Sequence, residues 1–330
     1  MTIGAGGVLY GTTNGNGIGT VFSLSPPSSP GGAWSEHVLH VFGSNADGSN
    51  PGAGVTIGAG GVLYGTTQFG GSVAACGQEE PGCGTVFSLT PPTAPGGAWT
   101  EAVLYTFPGT SSDGCGTQNL AIGKEGELYG TSYSGGASGA GTVFSLTPPR
   151  SRGGRWAEKV LYSFGDNSAG FAVSVPSPGL AIGRDGVLYG TTGFLGTTTA
   201  TCGGGCGTVF SLTPPASPGS AWTEAVLYSF AGAPNDGSGP LGVVFGSDGV
   251  LYGATSGGGA GACGQAGCGT IFSLTPPADA SRTWTEAVLC NLTLPNAYVN
   301  PGLAVGKDGV IFGATSLVDT NTGTVFALEP

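Results

Sequence analysis

The chain has 330 residues, of which 68 are Gly and 23 Pro; 8 basic and 19 acidic side chains leave a net charge of −11. So few Lys and Arg exclude recognition of nucleic-acid phosphates and disfavour anionic membranes, leaving neutral or cationic partners. Gly and Pro at this level exclude long helices and suit short strands with tight turns, while 39 % apolar residues in recurring motifs indicate a packed core rather than disorder.

The first predicted element is a short strand at Thr2-Ile3-Gly4. It matches Thr56-Ile57-Gly58, which follows Pro51-Gly52-Ala53-Gly54, so Met1 falls inside a repeat and upstream sequence is expected to be missing. Next comes Leu9-Tyr10-Gly11, then Thr20-Val21-Phe22-Ser23-Leu24, then a segment headed by Trp34. The tyrosine of the first motif returns as Tyr64, Tyr129, Tyr189 and Tyr252, with Phe312 in sixth place, at spacings of 54, 65, 60, 63 and 60 residues. The second motif returns at Phe87, Phe144, Phe210, Phe272 and Phe326, and the third at Trp99, Trp156, Trp222 and Trp284. A complete unit therefore predicts four strands: A (Leu180-Ala-Ile), B (Val187 to Thr192), C (Gly207 to Thr213) and D (Trp222 to Phe230). Turn residues such as Asp185-Gly186 separate them. The unit boundaries fall at about 1–54, 55–119, 120–179, 180–241, 242–302 and 303–330 of a single repeat domain.

Strands B and C are apolar at positions pointing both ways, so both faces of each sheet must be covered. Stacked antiparallel sheets do this, and the expected fold is an all-β propeller of about six four-stranded antiparallel blades, with A innermost and D at the rim. An open β-solenoid is the alternative, but its coils pair strands in parallel. The last blade lacks its outer strand, because the chain stops after Phe326-Ala-Leu-Glu-Pro330.

The progression from LAIG and DGxLYGTT through GTVFSLTPP to VLYSF resembles the Gloeo-Verruco (GloVer) tandem repeat of bacterial surface proteins, over nearly the whole chain. That resemblance implies an exported protein, often held by a C-terminal anchor, with no enzymatic activity or functional residues to carry over. Neither an export signal nor an anchor is visible in this sequence.

Six cysteines pair closely in the B–C loops: Cys76 with Cys83, Cys202 with Cys206, and Cys263 with Cys268. Zinc would need about four converging ligands, yet each pair lies in a different unit and the only histidines are His37 and His40. Disulfides are expected instead, which places the chain outside the cell or on its surface. Cys115 and Cys290 are expected to be thiols.

The histidines read as ordinary rim residues. The Glu two places after each Trp (Glu36, Glu101, Glu158, Glu224, Glu286) reads as a solvated charge on the rim strand. Asp185, Asp248 and Asp308 are turn formers. What varies between units is the B–C and D–A loops, which alternating strand directions bring to one face. A ligand-binding face there would carry Phe69, Glu79, Glu80, Asp113, Tyr133, Asp166, Phe171, Phe194, Asp236, Tyr298 and Asp319. Rings with acids and amides suit sugars. The expected function is a non-catalytic extracellular binding or adhesion module, acting as a monomer on a glycan or another surface protein, without a cofactor or metal. The acidic loop Asp47-Gly48-Ser49-Asn50 offers too few oxygen ligands for calcium. The alternatives are a carbohydrate-active hydrolase or lyase using a pair such as Asp113 and Asp236, and a structural surface array.

Overall fold

A computed structural model describes the chain except residues 16–17, 30, 44–45, 72–81, 95, 110–112, 152, 166–178, 201, 218, 262, 264–266, 280–282, 294–296, 300–301, 307, 318–321 and 330. Blade 1 comprises β1 (Thr2–Ile3), β2 (Leu9–Gly15), β3 (Ile18–Ser25) and β4 (Ser35–Val41). Blade 2 follows with β5 (Thr56–Ile57), β6 (Leu63–Thr66), β7 (Thr85–Thr90) and β8 (Thr100–Thr106), and blade 3 with β9 (Gly114–Ile122), β10 (Leu128–Gly135), β11 (Thr142–Thr147) and β12 (Ala157–Ser163). Blade 4 holds β13 (Ala181–Ile182), β14 (Leu188–Thr192), β15 (Thr208–Thr213) and β16 (Thr223–Ser229); blade 5 holds β17 (Gly237–Phe245), β18 (Leu251–Gly258), β19 (Thr270–Thr275) and β20 (Thr285–Asn291). In blade 6, β21 (Ala297–Val299) and β22 (Ala304–Val305) both pair with β23 (Ile311–Leu317), and β24 (Thr322–Leu328) pairs with its other edge.

Every pairing between named strands is antiparallel and, in blades 1 to 5, follows chain order, so the protein is all-β and its six sheets are the blades of a β-propeller. The sixth sheet counts four strands because its A strand is split in two; its D strand is the missing one. The chain divides into two compact units, Met1–Phe164 with blades 1 to 3 and Gly165–Pro330 with blades 4 to 6.

The repeated motif residues each have a mechanical reason. The glycine of Leu-Tyr-Gly lies across from the phenylalanine of strand C, as Gly190 does from Phe210. A Cβ at Gly190 would stand 2.6 Å from the ring's Cζ. The hydroxyl residue three places after the Leu-Tyr-Gly tyrosine pairs with the Thr that precedes the Val or Ile of strand C in all six blades, as Thr67 does with Thr85 at 2.9 Å and Thr192 with Thr208 at 2.8 Å. In blades 2 to 5 these hydroxyls are buried and satisfy one another where water cannot reach. The Asp-Gly turns are as expected: Asp185 accepts from the Val187 amide at 3.2 Å and Asp248 from that of Val250 at 3.1 Å, with Gly186 and Gly249 at φ +84°.

Consecutive blades within a unit meet through aromatic rings. Phe42, just past β4, packs edge-on against Phe87 of blade 2 at 5.0 Å; Phe107 meets Phe144 at 5.2 Å, and Phe230 meets Phe272 at 5.0 Å. All six rings are fully buried. Nearer the rim, Trp99 lies against Tyr10, Trp156 against Tyr64 and Trp284 against Tyr189, at 6.0 to 6.3 Å. The D-strand Trp therefore serves the joint to the preceding blade.

Candidate functional site

Two equivalent clefts lie between neighbouring blades, one in each unit. The first, about 380 Å³, opens between the B–C loop of blade 2, which supplies Gln68, Phe69 and Gly82, and blade 3, which supplies Cys115, Gly116, Gln118, Tyr133 and Ser134. Its walls are fixed by backbone. Phe69 exchanges both hydrogen bonds with Ser49 at 2.9 and 3.2 Å, and its carbonyl accepts from Thr67 Oγ1 at 3.0 Å. The Gly116 amide donates to the Cys83 carbonyl at 3.2 Å, tying the loop to the next blade, and Gly116 at φ +66° takes a conformation that suits glycine. Asn50 Nδ2 donates to Gln68 Oε1 at 2.6 Å. Tyr133 is 55 % exposed, so its ring forms an open platform.

The second cleft, about 300 Å³, is lined by Phe194, Cys202 and Cys206 of blade 4 and by Ser238, Gly239, Pro240, Leu241 and Ser256 of blade 5. Phe194 stands in the place of Phe69, and Ser238, Leu241 and Ser256 in those of Cys115, Gln118 and Tyr133. The same backbone tie recurs, Gly239 amide to Cys206 carbonyl at 2.9 Å. Cys202–Cys206 and Cys263–Cys268 are disulfides. Cys83 is also disulfide-bonded; Cys76 lies outside the described residues. Cys115 and Cys290 are thiols.

Of the candidate residues, Phe69 and Tyr133 thus share one cleft and Phe194 lines its counterpart. Glu79, Glu80, Asp166, Phe171 and Asp319 lie outside the described residues, and for Tyr298 only the backbone is described, pairing with Ser316. Asp236 is turned inward, 6 % exposed; its carboxylate accepts from the Tyr228 hydroxyl at 2.8 Å and from the amides of Ala231 and Gly237 at 2.7 and 2.6 Å. Both oxygens are engaged in holding the D–A loop. Among the described residues no three His, Cys, Asp or Glu side chains cluster as metal ligands.

The rim glutamates differ from the sequence reading. Glu36 is exposed, but Glu101, Glu158, Glu224 and Glu286 are partly buried, and Oε1 of Glu101, Glu158 and Glu286 is sequestered without a hydrogen-bond partner. A D–A loop aspartate of the preceding blade acts on each of these three glutamates: Asp47 on Glu101, Asp113 on Glu158, Asp236 on Glu286. Burial, reinforced by that aspartate, pushes Glu158 and Glu286 up to about 7. The same surroundings push Tyr105 up to about 12, through burial first and then Glu158 and Asp113. In blade 1 the position belongs to His40, 3.6 Å from Asp47, which burial holds below the ordinary histidine range against the pull of that carboxylate.

An acid with a raised folded-state pKa lends stability that is complete below the ordinary glutamate value and is lost as pH rises through about 7. The melting midpoint is therefore expected to fall between pH 5 and pH 8, at roughly 2–4 °C per kcal/mol lost. Glu158→Gln combined with Glu286→Gln should remove most of that fall and raise the midpoint at pH 8. A wild-type midpoint that climbs over this interval, or an unchanged fall in the double variant, would contradict the burial of these acids.

No curated protein matches the chain. Among solved structures it is similar to PorZ, a bacterial surface component of the type-IX secretion system of Porphyromonas gingivalis, at 14 % identity and a TM-score of 0.53, covering 99 % of this chain and 39 % of that one. It is also similar to a gluconolactonase from Xanthomonas campestris (15 % identity, TM-score 0.41, 82 % and 73 % covered). A third similar structure is an endo-arabinase from Bacteroides thetaiotaomicron (9 %, TM-score 0.44, 84 % and 92 % covered). At such identities the likeness is one of fold alone. The model of the Gloeobacter/Verrucomicrobia repeat matches residues 1–193, and with the same motifs continuing to Phe326 the chain belongs to the Gloeobacter/Verrucomicrobia repeat family.

Proposed function

We propose that the protein is a non-catalytic binding module that works outside the cell and takes up neutral, hydroxyl-rich ligands of the glycan class in the clefts between blades. The observation that carries this reading is the pairing of two aromatic side chains, Phe69 and Tyr133, in one cleft with the side-chain amide of Gln118. Ring faces stack on the C–H surface of a sugar while an amide both donates to and accepts from hydroxyls. The Cys202–Cys206 disulfide at the wall of the second cleft suits an oxidising compartment, and the net charge of −11 disfavours anionic ligands. The catalytic alternative draws no support from Asp236, whose oxygens are already taken.

The test is a glycan array followed by calorimetric titration of the best neutral oligosaccharide. Tyr133→Ala is expected to weaken binding about tenfold, the loss of roughly 1.4 kcal/mol of stacking, and Phe69→Ala by a similar factor. Tyr133 is exposed enough for its removal to leave the fold intact. Binding that survives both substitutions, or an array without a single neutral glycan hit, would reject the proposal.

A further inference from the structure

A third cleft, about 460 Å³, lies between blades 4 and 5 at the opposite end of their strands from the Phe194 cleft. One wall is Ile182, Gly183 and Arg184, where β13 turns into β14; the other runs from Phe245 to Gly249, where β17 turns into β18.

The repeat shows why space is left here. Phe245 closes strand A of its blade across from Leu251, the position that Ile57 and Ile122 hold across from Leu63 and Leu128. In blades 2 and 3 that isoleucine leans on the preceding blade: Ile57 Cδ1 is 3.4 Å from where a Cβ on Gly4 would stand, and Ile122 Cδ1 is 3.3 Å from one on Gly58. In blade 5 the residue is a phenylalanine, and its ring stands edge-on to Tyr189 of blade 4 with 5.2 Å between centroids. The space beside Gly183 becomes a cleft with an aromatic wall.

Charge sets this place apart as well. Blades 1 and 2 turn from strand A to strand B on Ala5-Gly6 and Ala59-Gly60, which carry none. Blades 4 and 5 turn on Arg184-Asp185 and Ser247-Asp248, so a guanidinium borders the cleft from one blade and a carboxylate from the other. The Asp248 carboxylate is oriented by its own blade: Oδ1 accepts from the Val250 amide at 3.1 Å, and the Tyr252 hydroxyl donates to the same group. A carboxylate has acceptor sites left after two such bonds, and a guanidinium offers five N–H donors. Asp185 engages its own turn through the Val187 amide.

We propose that this cleft binds a small zwitterion, a free α-amino acid with an apolar side chain. Its carboxylate pairs with Arg184, its ammonium with Asp248, and its side chain lies against Phe245 and Ile182. Guanidinium and carboxylate match in a two-bond fork, which fixes the ligand's orientation. A ligand with both charges is neutral overall, so the chain's net charge of −11 does not repel it as it would an anion. A ligand with one charge would leave the opposite wall's ion partly desolvated and without a counterpart. The site is separate from the glycan clefts and stands or falls independently of them.

The probe is phenylalanine, titrated calorimetrically into the 330-residue chain beside phenylalanine amide, which lacks the carboxylate, and N-acetylphenylalanine, which lacks the ammonium. Saturable binding of phenylalanine is expected, with each blocked form weaker by about tenfold or more. Arg184→Gln should weaken phenylalanine binding by a similar factor and erase the preference over the amide while keeping the preference over the N-acetyl form. Asp248→Asn, which retains an acceptor for the Val250 amide, should do the reverse. A misfolded variant would lose both preferences together, and the three wild-type titrations then decide the matter alone. No saturable heat with phenylalanine, or equal affinity for either blocked form, would overturn the proposal. So would displacement of phenylalanine by a neutral monosaccharide such as glucose at comparable concentration, which assigns the cleft to sugars.

Discussion

Phe230→Ala is expected to lower stability by about 3–5 kcal/mol, the range for removing a fully buried aromatic ring. The ring belongs to no regular strand, yet it joins two blades. It follows β16 in blade 4, is 0 % exposed, and packs edge-on against Phe272 of β19 in blade 5 at 5.0 Å and against Tyr228 at 5.1 Å. It also belongs to the cluster containing Val209, Val243 and Leu251, which draws on both blades. Truncation empties a space that neither sheet can close by itself, because each is held by its own ladder. Urea unfolding of Phe230→Ala, Phe272→Leu and the double variant checks this. The pair should be coupled by about 1 kcal/mol, as for other aromatic contacts. A loss below about 1 kcal/mol for Phe230→Ala would show that the blades do not depend on this joint.

The second large effect comes from adding an atom. Gly253→Ala places a methyl group 2.6 Å from Cε1 of Phe272 and 2.8 Å from the Gly242 carbonyl oxygen. Phe272 is fully buried and cannot swing away, and the carbonyl belongs to the neighbouring strand β17. Overpacking of this kind costs about 1–3 kcal/mol, and the backbone contact puts the expected value at the upper end. Shortening the opposing ring in the double variant Gly253→Ala with Phe272→Leu should recover part of the loss, since the methyl group then has room. If Gly253→Ala melts like the wild type, the repeated glycine answers to something other than the ring across from it.

The strands and their order were legible because the repeat states B and C six times and D five times: Leu-Tyr-Gly, Thr-Val-Phe-Ser-Leu and the Trp-led segment appear as strands B, C and D, and Asp185-Gly186 turns as expected. The reasons behind the motifs were not legible, since they lie between strands. Gly190 looks like any flexible residue until Phe210 is seen across from it. The rim glutamates were misread for a related reason: alternation along a strand tells which residues share a face, but not that this face is covered, as it is at Glu158 and Glu286. Asp236 looked like a loop carboxylate open to ligand, and it is instead the acceptor around which its loop is built. Phe69 and Phe194 were visible as variable-loop aromatics. Their cleft was not, because its other wall comes from residues nearly 50 positions further on, such as Cys115 and Ser238.

The most direct test is nuclear Overhauser spectroscopy on protein selectively labelled at phenylalanine. Cross-peaks between the rings of Phe107 and Phe144, and of Phe230 and Phe272, are expected at centroid separations of 5.2 and 5.0 Å, since each pair spans two consecutive sheets. Spectra in which every phenylalanine contact stays within a single sheet would contradict side-by-side packing of the blades, and the clefts between them would go with it.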